Sequence, residues 1–318
     1  MKKVQKIFNL WTKRLTHAHK HCAFTDLIHF KNSLWCCFRE ASTHVSGDGY
    51  VVILQLDNEG LIVSRYKIKQ PNTDLRDPKL SISPCGKLVL LAYARFSNSD
   101  NRTIRTQNQV WWSPNGLSWS SAINLGMNGW WLWRIRWAQS QQSQAYGLAY
   151  NRRANQIDLY HGNPLRYMQK VKSGVLSLSR HDKGYPNESD IHLDKKGKMW
   201  ALVRRDADTF SAQLGFANPP YTQWQWQDLT YYVGGPAWIT WRDSMIVAGR
   251  AWTGKHMVTR VWQLDRNNAK LIPLIDLPSA GDNSYPGLSI ENDNLYVSYY
   301  SSHQDACSEI YLACMSLN

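Results

Sequence analysis

Asn187-Glu-Ser-Asp-Ile-His-Leu-Asp-Lys-Lys-Gly-Lys-Met-Trp-Ala-Leu-Val-Arg-Arg205 contains two short apolar stretches around a polar turn. Asp190-Ile-His-Leu193 and Met199 to Arg205 have strand length, and Asp194-Lys-Lys-Gly197 supplies the Asp and Gly that a tight turn favours. The unit therefore reads as a β-hairpin whose second strand ends in charge. Working outward, the same unit recurs in both directions. Before it come Asp26 to Phe30 with Leu34 to Arg39, Lys79 to Ile82 with Leu88 to Arg95, and Arg134 to Trp137 with Tyr146 to Arg152. After it come Ala237 to Thr240 with Met245 to Arg250, and Leu288 to Ile290 with Leu295 to Tyr300. Hairpins repeating about every 50 residues, each with room for a further strand pair, predict an all-β, six-bladed β-propeller over residues 22–318. Two unrelated sandwiches would not keep that period.

Composition agrees. The chain has 318 residues, 43% hydrophobic and 19% charged, with 16 Trp and 16 Tyr against 7 Phe. That excludes a disordered chain and disfavours a helical bundle, because Trp and Tyr suit strand faces and sugar-binding walls. Of the net charge of +13, Lys2, Lys3, Lys6, Lys13, Arg14 and Lys20 supply six before the first carboxylate, Asp26. The rest is spread thinly, which argues against a phosphate-tracking stripe and so against nucleic acid, and favours a small acidic ligand. Cys22, Cys36, Cys37, Cys85, Cys307 and Cys314 have no zinc-ligand spacing, so neither a metal nor a cofactor is expected. Leu88 to Ala94 is the longest apolar run, too short to span a membrane. With no secretory signal after Met1, the chain is expected to be cytoplasmic, and secreted only if a leader is missing.

Residues 1–21 form a separate basic extension. Val4, Ile7, Phe8, Trp11 and Leu15 recur at helical spacing, predicting a short amphipathic helix packed on the propeller or lying on an anionic surface. His17, His19 and His21 alternate as metal ligands would, but a solvated basic linker is the expected reading.

Antiparallel pairing places the start of each hairpin's first strand beside the end of its second. If the first strands line the axis, Thr25/Asp26 with Arg39/Glu40, Arg76/Asp77 with Arg95, and Trp133/Arg134 with Arg152 converge on one rim. Glu188 with Arg204/Arg205, Gly234/Gly235 with Arg250, and Tyr285 with Tyr299/Tyr300 join them. One mouth of the propeller is thus rich in Arg, carboxylate and Tyr.

These residues resemble the sialidase (neuraminidase) superfamily of six-bladed propellers. Ser113-Pro-Asn-Gly-Leu-Ser-Trp119 looks like a shortened Asp-box with Asn115 in the Asp position. Asn187-Glu188-Ser189, a strand, a turn and a strand ending at Arg204 is similar to the family segment bearing the partner of the nucleophile and one carboxylate-binding Arg. Ala248-Gly-Arg250 and Ser284-Tyr285-Pro-Gly-Leu288 are similar to the segments bearing a further Arg and the Tyr nucleophile. The resemblance implies a sialidase-like, retaining, exo-acting glycoside hydrolase for an acidic or hydroxyl-rich glycan. Tyr285 would be nucleophile, Glu188 its base, and Asp48 the acid/base with Asp77 in reserve.

Arg204 and Arg250 would bind the sugar carboxylate, with Arg39, Arg76 and Arg134 as helpers, since Phe24-Thr25-Asp26-Leu27 replaces the family's first Arg. His44 and His303 would donate to hydroxyls. The chemistry is coherent: a phenolic oxygen avoids the repulsion that a carboxylate nucleophile would meet beside an anomeric carboxylate. The bland readings are solvated strand-end charges, a Glu188–Arg204 pair, and core packing for Tyr285 and for the Trp130, Trp131 and Trp133 cluster. A non-catalytic propeller that binds glycan or protein is the alternative, because fold alone does not imply catalysis.

Overall fold

A computed structural model describes residues 7–17, 19–100, 102–138 and 143–317. Its strands form six four-stranded antiparallel sheets. Blade 1 comprises β2 (His21–Phe30), β3 (Ser33–Ala41), β4 (Tyr50–Leu56) and β5 (Ile62–Ile68). Blade 2 comprises β6 (Thr73–Ile82), β7 (Leu88–Ser97), β8 (Thr103–Ser113) and β9 (Ile123–Gly126). Blade 3 is β10 (Trp131–Trp137), β11 (Ala145–Asn151), β12 (Gln156–Asn163) and β13 (Tyr167–Ser177), and blade 4 is β14 (Pro186–Leu193), β15 (Met199–Arg205), β16 (Gln213–Ala217) and β17 (Gln225–Asp228). Blade 5 is β18 (Gly234–Trp241), β19 (Ser244–Trp252), β20 (Met257–Asp265) and β21 (Lys270–Leu277). In blade 6, β22 (Asn283–Glu291), β23 (Asn294–Ser301) and β24 (Glu309–Leu317) are completed by β1 (Ile7–Arg14). First strands β2, β6, β10, β14, β18 and β22 each touch both neighbours, closing a ring around the axis. The six-bladed propeller expected from the hairpin period is the fold.

The N-terminal segment corrects the helix expectation. Ile7 to Arg14 is a strand, paired antiparallel with β24 from Ile7↔Leu317 to Arg14↔Tyr311. A helix there would leave the edge of β24 with unpaired amides and carbonyls, whereas a strand satisfies them. Trp11 packs edge-on against Tyr296 with ring centroids 6.1 Å apart, and Arg14 pairs with Glu309 at 3.3 Å and with Asp305. Apolar residues three and four apart fit the helix period, and the vacant edge of β24 overrides that pattern. Val4 lies outside the described residues.

Large aromatics fill the spaces between blades, and Trp35, Trp133 and Trp262 are wholly buried. Gly116, at φ +80°, is needed where the turn after β8 crosses Trp35, since a Cβ there would approach the ring to 2.2 Å. Burial pushes the thiols of Cys22 and Cys36 up to about 12, so they are inert at neutral pH. Among the described residues no helix is long and apolar enough to cross a membrane.

Every first strand carries a β-bulge near its start. The register slips at Ala23/Asp26, Arg76/Lys79, Leu132/Ile135, Pro186/Ser189, Gly234/Ala237 and Ser284/Gly287. Within these slips lie Phe24, Asp77, Trp133, Glu188, Gly235 and Tyr285. An extra residue bends the strand and re-aims a side chain, and bulges of this kind gather at functional rims. Phe24 (φ 62°), Asp77 (φ 48°) and Tyr285 (φ 48°) hold left-handed conformations that non-glycine residues rarely adopt, a further mark of a site.

Below the bulges, buried charges seal the axis. Arg134 Nη1 lies 2.8 and 2.7 Å from the two Asp26 oxygens and its Nε 3.4 Å from Asp190. Arg136 forks onto the same Asp190 at 2.9 and 2.6 Å. Asp26 also accepts from the Leu80 amide and Asp190 from the Trp238 amide, so two carboxylates tie together blades 1 to 5.

Candidate functional site

A cavity of about 750 Å³ opens above this seal. Its inner wall is built by bulge residues of five blades: Phe24, Asp77, Trp133, Glu188 and Tyr285. Five remote segments thus meet because each inner strand starts at the same rim and kinks at the same point.

At the centre, the Tyr285 hydroxyl donates to Glu188 Oε1 at 2.8 Å. Arg204 Nη1 lies 2.7 Å from the Tyr285 oxygen and 2.9 and 2.8 Å from the two Glu188 oxygens, while its Nε holds Asp206 at 2.7 Å. The phenol can pass its proton to Glu188, and its oxygen can keep negative charge beside Arg204. Burial raises the Tyr285 phenol well above its ordinary value and the Glu188 charge adds to this, against the pull of Arg204 and Arg250. At neutral pH the group is a phenol and needs a base to become a nucleophile. The Arg250 guanidinium carbon sits 5.2 Å from the Tyr285 ring centre. Its Nη2 donates to Asp282 Oδ1 at 3.0 Å and meets the Tyr300 hydroxyl at 2.9 Å. Among the described residues, no hydrogen bond engages Arg204 Nη2 or Arg250 Nη1.

Asp77 is 5% exposed, on the cavity wall. Burial raises its carboxyl to about 6; Arg76 and Lys79 oppose this and the Glu188 charge supports it. Such a group carries a proton in mildly acidic solution and can give it up, as a general acid must. Asp48 is elsewhere: exposed, outside the cavity wall, and bonded to the Ser42 amide at 3.2 Å and to the Ser42 hydroxyl. Partial burial opposes its ionisation, but hydrogen bonds from Ser42 and Ser46 prevail and lower it to about 2. A carboxylate that caps a turn and stays ionised is no proton donor, so the geometry brings Asp77, not Asp48, to the centre.

The helper cations separate. Arg76 lines the cavity, 3.1 Å from Asp74 and with its guanidinium carbon 5.4 Å from the Phe24 ring centre. Arg39 is fully buried, bonded to Asp74 at 2.7 Å and to the Thr43 and Ser46 carbonyls at 3.1 and 2.8 Å. It braces the loop that presents His44 instead of facing the cavity. Arg134 belongs to the axial seal. Arg204 bonds both Tyr285 and Glu188, and Arg250 lies over the Tyr285 ring; they are 12% and 17% exposed. His44 lines the cavity and its Nδ1 is 2.7 Å from Asp282. His303 lies apart, bonded to Ser301 at 2.9 Å and packed on Tyr311 at 4.6 Å.

Two organising carboxylates were not found in the sequence. Asp74 pairs with Arg39, Arg76 and, at 3.7 Å, Arg95. Its i, i+2 spacing to Arg76 on one strand face was the available signal. Asp282 joins Arg250, Tyr300, His21 at 3.1 Å and His44, and carried no local signal. Burial opposes its charge, yet these donors hold its carboxyl well below the usual range. Among the described residues, His21, His44 and Asp282 are the group whose donor atoms approach within 4.8 Å, and their chemistry suits a transition-metal ion. Both imidazoles are already engaged by the carboxylate.

No protein-family profile matches the chain, and no curated protein matches it in sequence. Solved structures do. A protein of unknown function from Dyadobacter fermentans DSM 18053 superposes with a TM-score of 0.85 at 14% identity, covering 99% of this chain and 100% of that one. The Hadza microbial sialidase Hz136 gives 0.72 at 10% identity, covering 95% and 68%. The Penicillium chrysogenum alpha-L-arabinanase complexed with arabinobiose gives 0.69 at 13%, covering 98% and 99%. The chain has the sialidase-like six-bladed propeller fold.

Proposed function

We propose that the protein is a retaining, exo-acting glycoside hydrolase for a sugar bearing a carboxylate, with Tyr285 as nucleophile. The observation that carries this reading is the Tyr285 hydroxyl set between the Glu188 carboxylate at 2.8 Å and Arg204 at 2.7 Å on the wall of the cavity. The sugar carboxylate docks on the uncommitted nitrogens of Arg204 and Arg250, with Arg76 on the cavity wall as third cation, by charge-assisted bonds suited to a planar anion. Arg76 takes the part of the cation missing at Phe24-Thr25. His44 donates to a hydroxyl from the same wall.

In the first step the Tyr285 oxygen bonds to the anomeric carbon as its proton passes to Glu188. The bond to the leaving oxygen breaks, and Asp77 protonates that oxygen. In the second step the Asp77 carboxylate takes a proton from water, whose oxygen replaces Tyr285 at the anomeric carbon. Glu188 returns the proton to the phenolate. Net charge in the centre stays constant through both steps.

Sialidase and arabinanase neighbours on the same fold support glycan chemistry as the class to test first. The test is turnover of a panel of aryl glycosides comprising sialosides, uronides and arabinosides. Release of the aryl group from an acidic member is expected; no turnover across the panel rejects the reading.

A further inference from the structure

We propose that the site takes an oligosaccharide, whose second anionic unit is held by Arg105, Arg152 and Arg153 in an outer lobe of the same cavity. This rests on the reading above and specifies its substrate. The cavity does not end at the bulges. It runs outward from the first strands to Thr103–Thr106 at the start of β8, the third strand of blade 2, and to Asn151–Arg153 after β11. The outer part is a separate chemical environment. The two carboxylates on the cavity wall, Asp77 and Glu188, both lie at the inner end. Arg105, Arg152 and Arg153 are exposed, and among the described residues none makes an ion pair or a side-chain hydrogen bond. Arg95, which also lines the cavity, is held by Asp74 at 3.7 Å and by Thr103 at 3.0 Å. Clustered like charges repel, and an anion between them relieves that repulsion.

The lobe is braced. Asn128 Oδ1 accepts from both the amide and the hydroxyl of Thr106, at 2.9 and 3.0 Å. Between lobe and centre stands an aromatic rib, with Trp131 stacked 4.0 Å from Tyr93 and 5.7 Å from Tyr150 at nearly parallel planes. Trp131 is flanked by rings of two blades, so it separates subsites instead of offering a face to a sugar or a base. A neutral glycan or a single nucleic-acid strand needs free ring faces. A lobe of guanidinium groups suits a second carboxylate instead, one sugar unit beyond the bond that is cut.

The experiment is calorimetric titration in the Tyr285→Phe background, which leaves the ligand intact, using N-acetylneuraminic acid and galacturonic acid and the glycosidically linked dimer of each. The dimer of the recognised sugar is expected to bind about tenfold more tightly than its monomer, the gain of one charge-assisted contact set. In the Arg152→Ala/Arg153→Ala protein, and separately in Arg105→Ala, the dimer-to-monomer ratio should fall to within about twofold. Equal binding of monomer and dimer, or a ratio unmoved by these substitutions, overturns the outer subsite and leaves the proposed chemistry standing. Equal competition by a mixed-sequence single-stranded DNA overturns it as well, by reducing the lobe to a non-specific anion surface. Failure of every acidic monosaccharide to bind rejects the active-site reading, and the outer subsite with it.

Discussion

Gly235 of blade 5 leaves the space that the Tyr285 ring of blade 6 occupies: a Cβ at Gly235 would stand 2.7 Å from Cγ and Cδ1 of that ring. The glycine also sits at φ +57°, in its own strand's bulge. One position thus serves backbone conformation and side-chain placement together. Gly235→Ala should shift Tyr285 away from Glu188. A misplacement of this kind costs about a hundredfold in turnover. Kinetic assay beside thermal denaturation separates the effects: kcat should collapse while the variant still unfolds cooperatively. Unchanged kcat would show that the ring's position does not matter.

On the proposed mechanism, Asp77 sets the alkaline limb of activity. Its carboxyl is raised to about 6 by burial and must be protonated to act as acid, so kcat/KM should fall as pH rises through about 6. Asp77→Asn should abolish that limb and cost most on substrates with poor leaving groups, because activated aryl groups leave without proton donation. A wild-type profile flat from pH 5 to pH 8 would remove Asp77 from this role.

Replacing Arg204 or Arg250 by Ala should weaken an acidic sugar by about 1.5–3 kcal/mol, the worth of a lost charged hydrogen bond, and its neutral analogue far less. Competitive inhibition by the two ligands measures the difference. Equal losses would assign both residues to holding Tyr285 and Glu188 in place.

Arg134 should report on stability. Arg134→Met leaves Asp26 with a buried charge whose main partner is gone, a change that costs about 3–5 kcal/mol. Denaturant unfolding should show that loss while ligand affinity stays near wild type.

Much of the architecture is legible in the sequence, because six hairpins with similar turn chemistry recur at one spacing. The rim is legible for the same reason: Ala23↔Arg39, Gly234↔Arg250 and Ser284↔Tyr300 pair as antiparallel geometry requires. Depth is what sequence does not carry. Arg39, Arg76 and Arg134 all start from the same rim, yet their different partners leave one bracing a loop, one on the cavity wall and one sealing the axis. Asp48 and Asp77 are likewise indistinguishable until their burial is known. Three of the bulges do carry a sequence signal, since Asp77-Pro78, Gly235-Pro236 and Tyr285-Pro286 each place a proline where the ladder slips. Strand β1 is not legible locally because its partner β24 lies about 300 residues further along the chain.

Deleting residues 1–14 should therefore lower the melting temperature, by uncovering the edge of β24 and the packing of Trp11. Light scattering of the truncated protein should also show association, as a bare edge strand invites pairing with another copy. An unchanged melting temperature would mean that β1 adds nothing to blade 6.

The Tyr285–Glu188 pair is tested most directly by single-residue kinetics on whichever acidic aryl glycoside the protein turns over best. Tyr285→Phe removes one oxygen from a buried ring and leaves its packing intact. Turnover should be abolished while the inhibition constant of the free sugar stays within about twofold, as expected for a group needed only in the reaction step. A Tyr285→Phe protein with wild-type kcat would contradict the nucleophile assignment outright.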